Sequence, residues 1–269
     1  MFKKILLIGF IISASSCSSV KKTQEAINYG NYDEAIQIAV KELRNNKTKK
    51  GNQEYVVMLE EAFSKATAKD LESILFLKKD GNSANLEIIY NTYLTLKNRQ
   101  ELIKPLLPLP IHSKARNAKF SFTDYSNEIL TAKTKLSEYL YSSAKKLLFS
   151  SSNKMDYRDA FNDLSYLDKI NPNYKDTRSL IDEAHFKGTN FVFVTLQNIS
   201  DKVIPMRLEE DLLNFDTYKL NDLWTIYHNK EQAKTNYDFK IEINFREINI
   251  SPEQVREKQV IKEKQVVDG

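Results

Sequence analysis

The chain has 269 residues, 41% hydrophobic and 28% charged, a balance that belongs to globular proteins and lies outside the low-hydrophobicity, high-charge range of disordered ones. Forty basic against thirty-six acidic residues leave a net charge of +4, too even for a protein whose main work is neutralising nucleic-acid phosphates. Six Gly, six Pro, three His and one Cys exclude collagen-like, disulfide-stapled and cysteine-zinc architectures.

At the N-terminus, Lys3 and Lys4 precede an apolar run from Ile5 to Ile12, and the small residues Ser13 to Ser16 follow it. This is the order of a secretory signal: charged region, apolar core, cleavage zone. The run is too short to cross a bilayer, which takes about 20 apolar residues. Cys17, the sole cysteine, stands directly after Ala14-Ser15-Ser16, and this segment resembles the bacterial lipobox, with Ala14 where Leu is usual. The resemblance implies removal of residues 1–16 and acylation of Cys17, with the lipid membrane as first partner. Two or more acyl chains anchor stably, whereas one binds only reversibly. Ser18 after the Cys, and the absence of an acidic cluster in Ser18 to Lys22, are similar to the pattern of outer-membrane lipoproteins of the Bacteroidetes type that face the periplasm. That implies an outer-membrane address on the periplasmic side.

From about residue 20 to 187 the apolar spacing is helical. Gly30-Asn31-Tyr32-Asp33-Glu34-Ala35-Ile36 resembles the middle of a tetratricopeptide repeat, with a Gly turn, an aromatic, and a small Ala that lets two antiparallel helices approach. Ala39 continues the small face. Tyr55, Met58, Leu59, Ala62, Phe63 and Ala66 form one apolar stripe, and Leu71, Ile74 and Leu75 another. Lys79 to Ser83 breaks the chain before a stripe of Leu86, Ile89, Tyr90, Tyr93 and Leu94. Pro105, Pro108 and Pro110 cannot share one helix interior and predict a loop or hinge. A long helix follows through Tyr125, Ile129, Ala132, Leu136, Leu140 and Leu147, capped by Thr123 or Asp124. Asp156 to Ala160, with Pro172 twelve residues after the Ala, resembles a second repeat, and Asn171 to Asp176 starts the next helix. The interval from Ala35 to Ala160 is no multiple of the usual repeat, so the array is degenerate or interrupted.

Helical spacing ends at His185 to Lys187, and Gly188 is expected as a left-handed cap. Beyond it, Phe191 to Gln197 is apolar on both faces and predicts a central strand. A short helix through Leu208, Leu212 and Phe215 precedes a second strand, Leu223 to His228. Tyr237 to Ile250 alternates apolar and polar, which predicts one buried and one wet face, with a β-bulge at Arg246-Glu247. The last residues, with Glu257 to Ile261 and Glu263 to Val267, predict an edge strand or a solvated arm. Asp268-Gly269 is a hairpin dipeptide with no strand after it, so either the tail is loose or the natural chain continues. The fold class is therefore expected to be α+β: a signal over 1–16, a tetratricopeptide-like helical domain over 17–187, and a small β-rich domain over 188–269.

No catalytic constellation emerges. His112, His185 and His228 have no second His at ligand spacing, and a His at a helix C-terminus is explained by the helix dipole. Asp156, Asp159 and Asp163 fall near one helical face, where an acidic trio can bind Ca²⁺ or work as acid and base; carboxylates near a helix start also gain from its dipole. Glu209-Glu210-Asp211 reads as a solvated helix face. We name no catalytic, metal or cofactor residue, and only Cys17 as a modified one. Tyr-rich helical repeats suit peptide recognition, with Tyr32 and Tyr157 as packing residues. The expected function is that of a non-enzymatic envelope lipoprotein, an interaction or assembly module for another envelope protein and not for nucleic acid. The alternative is a hydrolase of envelope polymers with its site in the C-terminal domain.

Overall fold

The computed structural model describes residues 19–215 and 219–249. The chain is α+β, with long helices first and a small sheet after them. It divides into two compact units, one comprising the residues up to Ser151 with Asp159–Ile181, the other Ser152–Arg158 with the residues from Asp182 onward. The expected segments before residue 19 and after residue 249, including Cys17 and the C-terminal arm, lie outside the described residues.

In the first unit, helix α1 (residues 19–28) turns at Gly30 into α2 (Tyr32–Asn45). The Asn31 N–H donates to Ala26 O at 2.8 Å and the Gly30 N–H to Ile27 O at 3.1 Å, which satisfies the free carbonyls at the end of α1. Gly30 has φ +77, a conformation that costs Gly little and other residues more. Helix α2 buries Ala35, Ile36 and Ala39, the small face read from the sequence, together with Val40 and Leu43. It packs in one core with Tyr55, Val56, Leu59, Ala62, Phe63 and Ala66 of α3 (Gln53–Asp80).

Helix α3 is continuous, so the two stripes read from its sequence belong to one element. Its first half is buried on the core side, whereas of the second stripe only Ile74 is buried: Leu75 is 69% exposed and the adjacent Phe76 72%. Gly81 ends the helix in the left-handed region at φ +69. Helix α4 (Leu86–Ile103) follows and buries Ile89, Tyr90, Tyr93 and Leu96. The Pro-rich stretch is a packed loop and not a hinge. Leu106, Leu109 and Ile111 enter the core, and the short strands β1 (Pro110–Ile111) and β2 (Arg116–Asn117) pair antiparallel. Glu60 on α3 fixes this loop, accepting from Arg116 Nη1 at 2.7 Å, Arg116 Nη2 at 2.8 Å and the Lys119 N–H at 2.7 Å. Phe120 and Phe122 meet Phe63 edge-on.

Helix α5 (Ser126–Ser150) buries Ala132, Leu136, Leu140 and Leu148. Neither expected cap residue is at the N-cap, which is Tyr125 without a side-chain cap bond; Asp124, one residue before it, accepts from the Ser126 N–H at 3.0 Å, while Thr123 is held through its backbone by Gln100, which donates to Thr123 O at 3.0 Å and accepts from Thr123 N at 2.9 Å. Helix α6 (Lys154–Ile170) buries Ala160, Leu164 and Leu167. The residues expected to start the next helix form a turn instead, with Asn173 and Lys175 at positive φ, and α7 (Thr177–Gly188) begins after them. Tyr141 on α5 holds that turn, donating to Asp176 Oδ1 at 2.6 Å.

In the second unit, β3 (Asn190–Asn198) is central to a sheet of order β4-β3-β5, with β4 (Thr225–His228) and β5 (Phe239–Phe245) both parallel to it. Helix α8 (Met206–Leu212) lies in the crossover from β3 to β4, as parallel pairing requires a long connection. Lys154 donates to the Thr189 carbonyl and to Asp238 Oδ2, at 2.6 Å for the latter, and Asp238 also accepts from the Phe191 N–H at 2.8 Å.

Two expectations fail here. Gly188 is not a left-handed cap. It closes α7, and its place is explained by close approach, because a Cβ there would lie 2.9 Å from the Trp224 ring and 3.1 Å from Arg158 Cγ. Strand β5 stops at Phe245 without a bulge through residue 249, and the apolar side expected to be buried is open: Phe239 is 59%, Ile241 42% and Ile243 36% exposed.

Candidate functional site

A concavity lies in the helical unit, where the end of α3 and the starts of α4 and α5 meet. Gly81 turns the chain sharply, Asn82 caps the following turn by accepting from the Ala84 N–H at 3.0 Å, and Asn85 Nδ2 donates to Asp80 Oδ2 at 2.8 Å. Beside this turn lies a groove of about 480 Å³, a size that accepts a small ligand or one to two peptide side chains. Leu77, Leu86, Ile89, Tyr93 and Ala132 give it an apolar floor, and Lys78, Asn82, Asn127, Glu128, Thr131 and Lys135 a polar rim. Lys78 Nζ donates to Tyr93 Oη at 2.8 Å and lies 5.0 Å above that ring, so a cation and a hydroxyl are presented together. Among the described lining residues Glu128 is the one carboxylate and there is no His. Such a lining offers hydrogen bonds and apolar contact, the elements of recognition.

A second cluster joins α4 and α6. Asp163 is half-buried and its carboxyl is pushed up to about 6, by burial first and then by the negative charges of Asp159 and Glu87. Tyr166 on the same helix is raised by burial, against a hydrogen bond with Asn91 that lowers it. Asp163 and Asp159 were candidates from the sequence; Glu87 was not, because nothing in the sequence shows that α4 faces α6 there. Native Asp163 holds its proton more tightly than the unfolded chain, whose carboxyl titrates near 3.8. Its contribution to stability is thus fully present below that pH and lost as pH rises through about 6. Asp163→Asn should therefore stabilise the protein above pH 7 by about 1 to 2 kcal/mol, discounted for its partial exposure, and by a few tenths or less near pH 4. Urea unfolding at the two pH values measures the difference; equal effects at both would show that Asp163 ionises freely.

The other sequence candidates are dispersed. His112 starts an exposed single turn. His185 Nε2 lies 2.7 Å from Leu223 O, with its ring against Trp224, and His228 Nδ1 is 3.0 Å from Tyr237 Oη. Among the described residues no three His, Cys, Asp or Glu side chains are placed to hold a metal ion. Glu209 to Asp211 lie on α8, none of them buried. Tyr32 packs against the main core, and Tyr157 has Lys187 5.5 Å above its ring.

No family model, curated protein or solved structure matches the chain. What it does therefore rests on its own residues. Among the described residues, no helix is long and apolar enough to cross a membrane.

Sequence reasoning missed the groove and also a buried guanidinium. Arg99 on α4 is 3% exposed and donates from Nε to Asp33 Oδ1 at 2.8 Å and from Nη2 to Asp70 Oδ2 at 2.7 Å. It ties α2, α3 and α4 together. The partners lie 66 and 29 residues away, so no local pattern announces them.

Proposed function

We propose that the chain is an outer-membrane-anchored, periplasm-facing lipoprotein whose helical unit acts as a tetratricopeptide-type interaction or assembly module for another envelope protein. The observation that carries the binding part is the groove between α3, α4 and α5, with its apolar floor and hydrogen-bonding rim. Two helical pairs with a fully buried Ala near the start of the second helix, Ala35 in α2 and Ala160 in α6, support the repeat reading. The envelope address is carried by Cys17 and the residues around it.

Each part has its own measurement. Cys17→Ser should move the protein almost entirely from the membrane to the soluble fraction, and the processed wild-type chain should carry acyl mass on Cys17. A variant that stays with the outer membrane, together with a wild type lacking that mass, overturns the address. For the groove, a photo-crosslinking side chain at Thr131 or Leu86 of the full chain should capture a polypeptide in intact cells, whereas one at Phe239 should not. Equal capture at all three positions would remove the groove as the recognition surface.

A further inference from the structure

The end of the helical unit opposite the groove carries a cluster of exposed cations. Lys49 and Lys50 are exposed in the turn between α2 and α3, and Lys114 is exposed in the loop beyond β1. The two loops form one platform. Lys47 Nζ donates to Leu106 O at 3.1 Å and the His112 N–H donates to Gln53 Oε1 at 3.0 Å. The buried Asn52 side chain pins the turn to the end of α2, donating to Glu42 O at 3.1 Å and Asn46 O at 2.7 Å. Arg44, in the last turn of α2, adds a further cation. Glu60 and Glu101 on the neighbouring helices are paired with Arg116 and Lys104, Glu60 also faces the charge of Lys114, and Glu42 and Glu54 are the other carboxylates on the adjoining ends of α2 and α3. Leu107, 37% exposed, projects beside them.

The chain enters the unit at this same end. Helices α1 and α2 form an antiparallel hairpin about Gly30, and Lys22 on α1 bridges to Glu34 on α2 at 3.1 Å. At 1.5 Å per residue, Ser19 stands nearly level with Lys41, about one turn short of the basic loop. Cys17 is two residues further, within about 7 Å of Ser19 along the chain.

We propose that this platform, with Lys49, Lys50 and Lys114, lies on anionic lipid headgroups of the membrane that holds the anchor; its orientation rests on the reading of Cys17 as the anchored residue. Charge and tether point the same way. Cations held within a Debye length of an anionic bilayer bind it, an exposed Leu among them adds apolar contact, and a short linker keeps the platform there. The groove, at the far end of α3, which is 28 residues long, is then turned toward the aqueous space.

The test uses the full chain carrying Cys17→Ser, which cannot be acylated, mixed with vesicles of phosphatidylcholine alone or with about 30% phosphatidylglycerol. Reaction of each lysine with a water-soluble amine reagent is followed by mass spectrometry. Phosphatidylglycerol should slow Lys49, Lys50 and Lys114 about fivefold or more, leave Lys79 at the other end of α3 unchanged, and lose its effect in about 0.5 M salt. Replacing the three lysines together by Gln should lower partitioning to those vesicles by on the order of 100-fold. Equal labelling in both vesicles, equal protection of Lys79, or protection by RNA or an acidic polypeptide but not by phosphatidylglycerol overturns the proposal. Whether wild-type Cys17 carries acyl groups is decided separately by the mass of the processed chain, and cannot alter this result.

Discussion

Removing both carboxylates from the Arg99 network, as Asp33→Ala with Asp70→Ala, should destabilise the protein by about 3 to 5 kcal/mol. Burial works against the charge on Arg99, and the hydrogen bonds to Asp33 and then Asp70 more than offset it. Among the described residues its Nη1 already lacks a hydrogen-bond partner, so two missing carboxylates leave an uncompensated guanidinium between three helices. Either single variant should cost clearly less, because one carboxylate remains. Adding Arg99→Met to the double variant should recover much of the loss, since a well-packed apolar side chain often replaces a buried ion network at little cost. Chemical unfolding of the four proteins decides it: a double variant within about 1 kcal/mol of wild type, or a triple variant no better than the double, would show that the network does not hold the helices together.

Enlarging Ala35 to Leu is expected to cost about 1 to 3 kcal/mol, and Ala160→Leu a similar amount. Both alanines are fully buried, and in a close-packed interior the added methylenes have no space without moving a helix. The control is Ala68→Leu, on the exposed side of α3, which should shift stability by no more than about 0.5 kcal/mol. Melting temperatures that stay the same for both buried variants would contradict the close helix contact that the structure places at these positions.

Periodicity made much of the fold legible. The expected stripe of the first half of α3 is buried throughout, those of α4 and α5 are buried in part, with Leu86, Leu94, Ile129 and Leu147 only half-buried and Leu96 and Leu148 buried beside them, and the change from a period near four to strand-like runs after Gly188 coincides with the start of the sheet. Local chemistry was legible too. Gly30 and Gly81 occupy left-handed turns, because a backbone with φ > 0 is a property of a few adjacent residues. Asp163 stood out only as one of an acidic trio explained by the helix dipole; its raised pKa comes first from burial and then from Asp159 and from Glu87 on another helix.

What the sequence could not determine depends on which surfaces meet. The alternation of Phe239, Ile241 and Ile243 determines that they share a face, yet whether that face is covered depends on an element packing across it, and it is left largely open. Gly188 looked like a cap because a Gly follows a helix there; only the Trp224 ring 2.9 Å from where its Cβ would sit reveals that the glycine makes room. The bonds from Arg99 to Asp33 and Asp70 and the groove beside Lys78 likewise join residues from helices far apart in the chain. Backbone conformation and periodicity are written within a few turns of sequence, whereas contacts between distant segments exist only after the helices have packed, and those contacts create the groove and the basic platform.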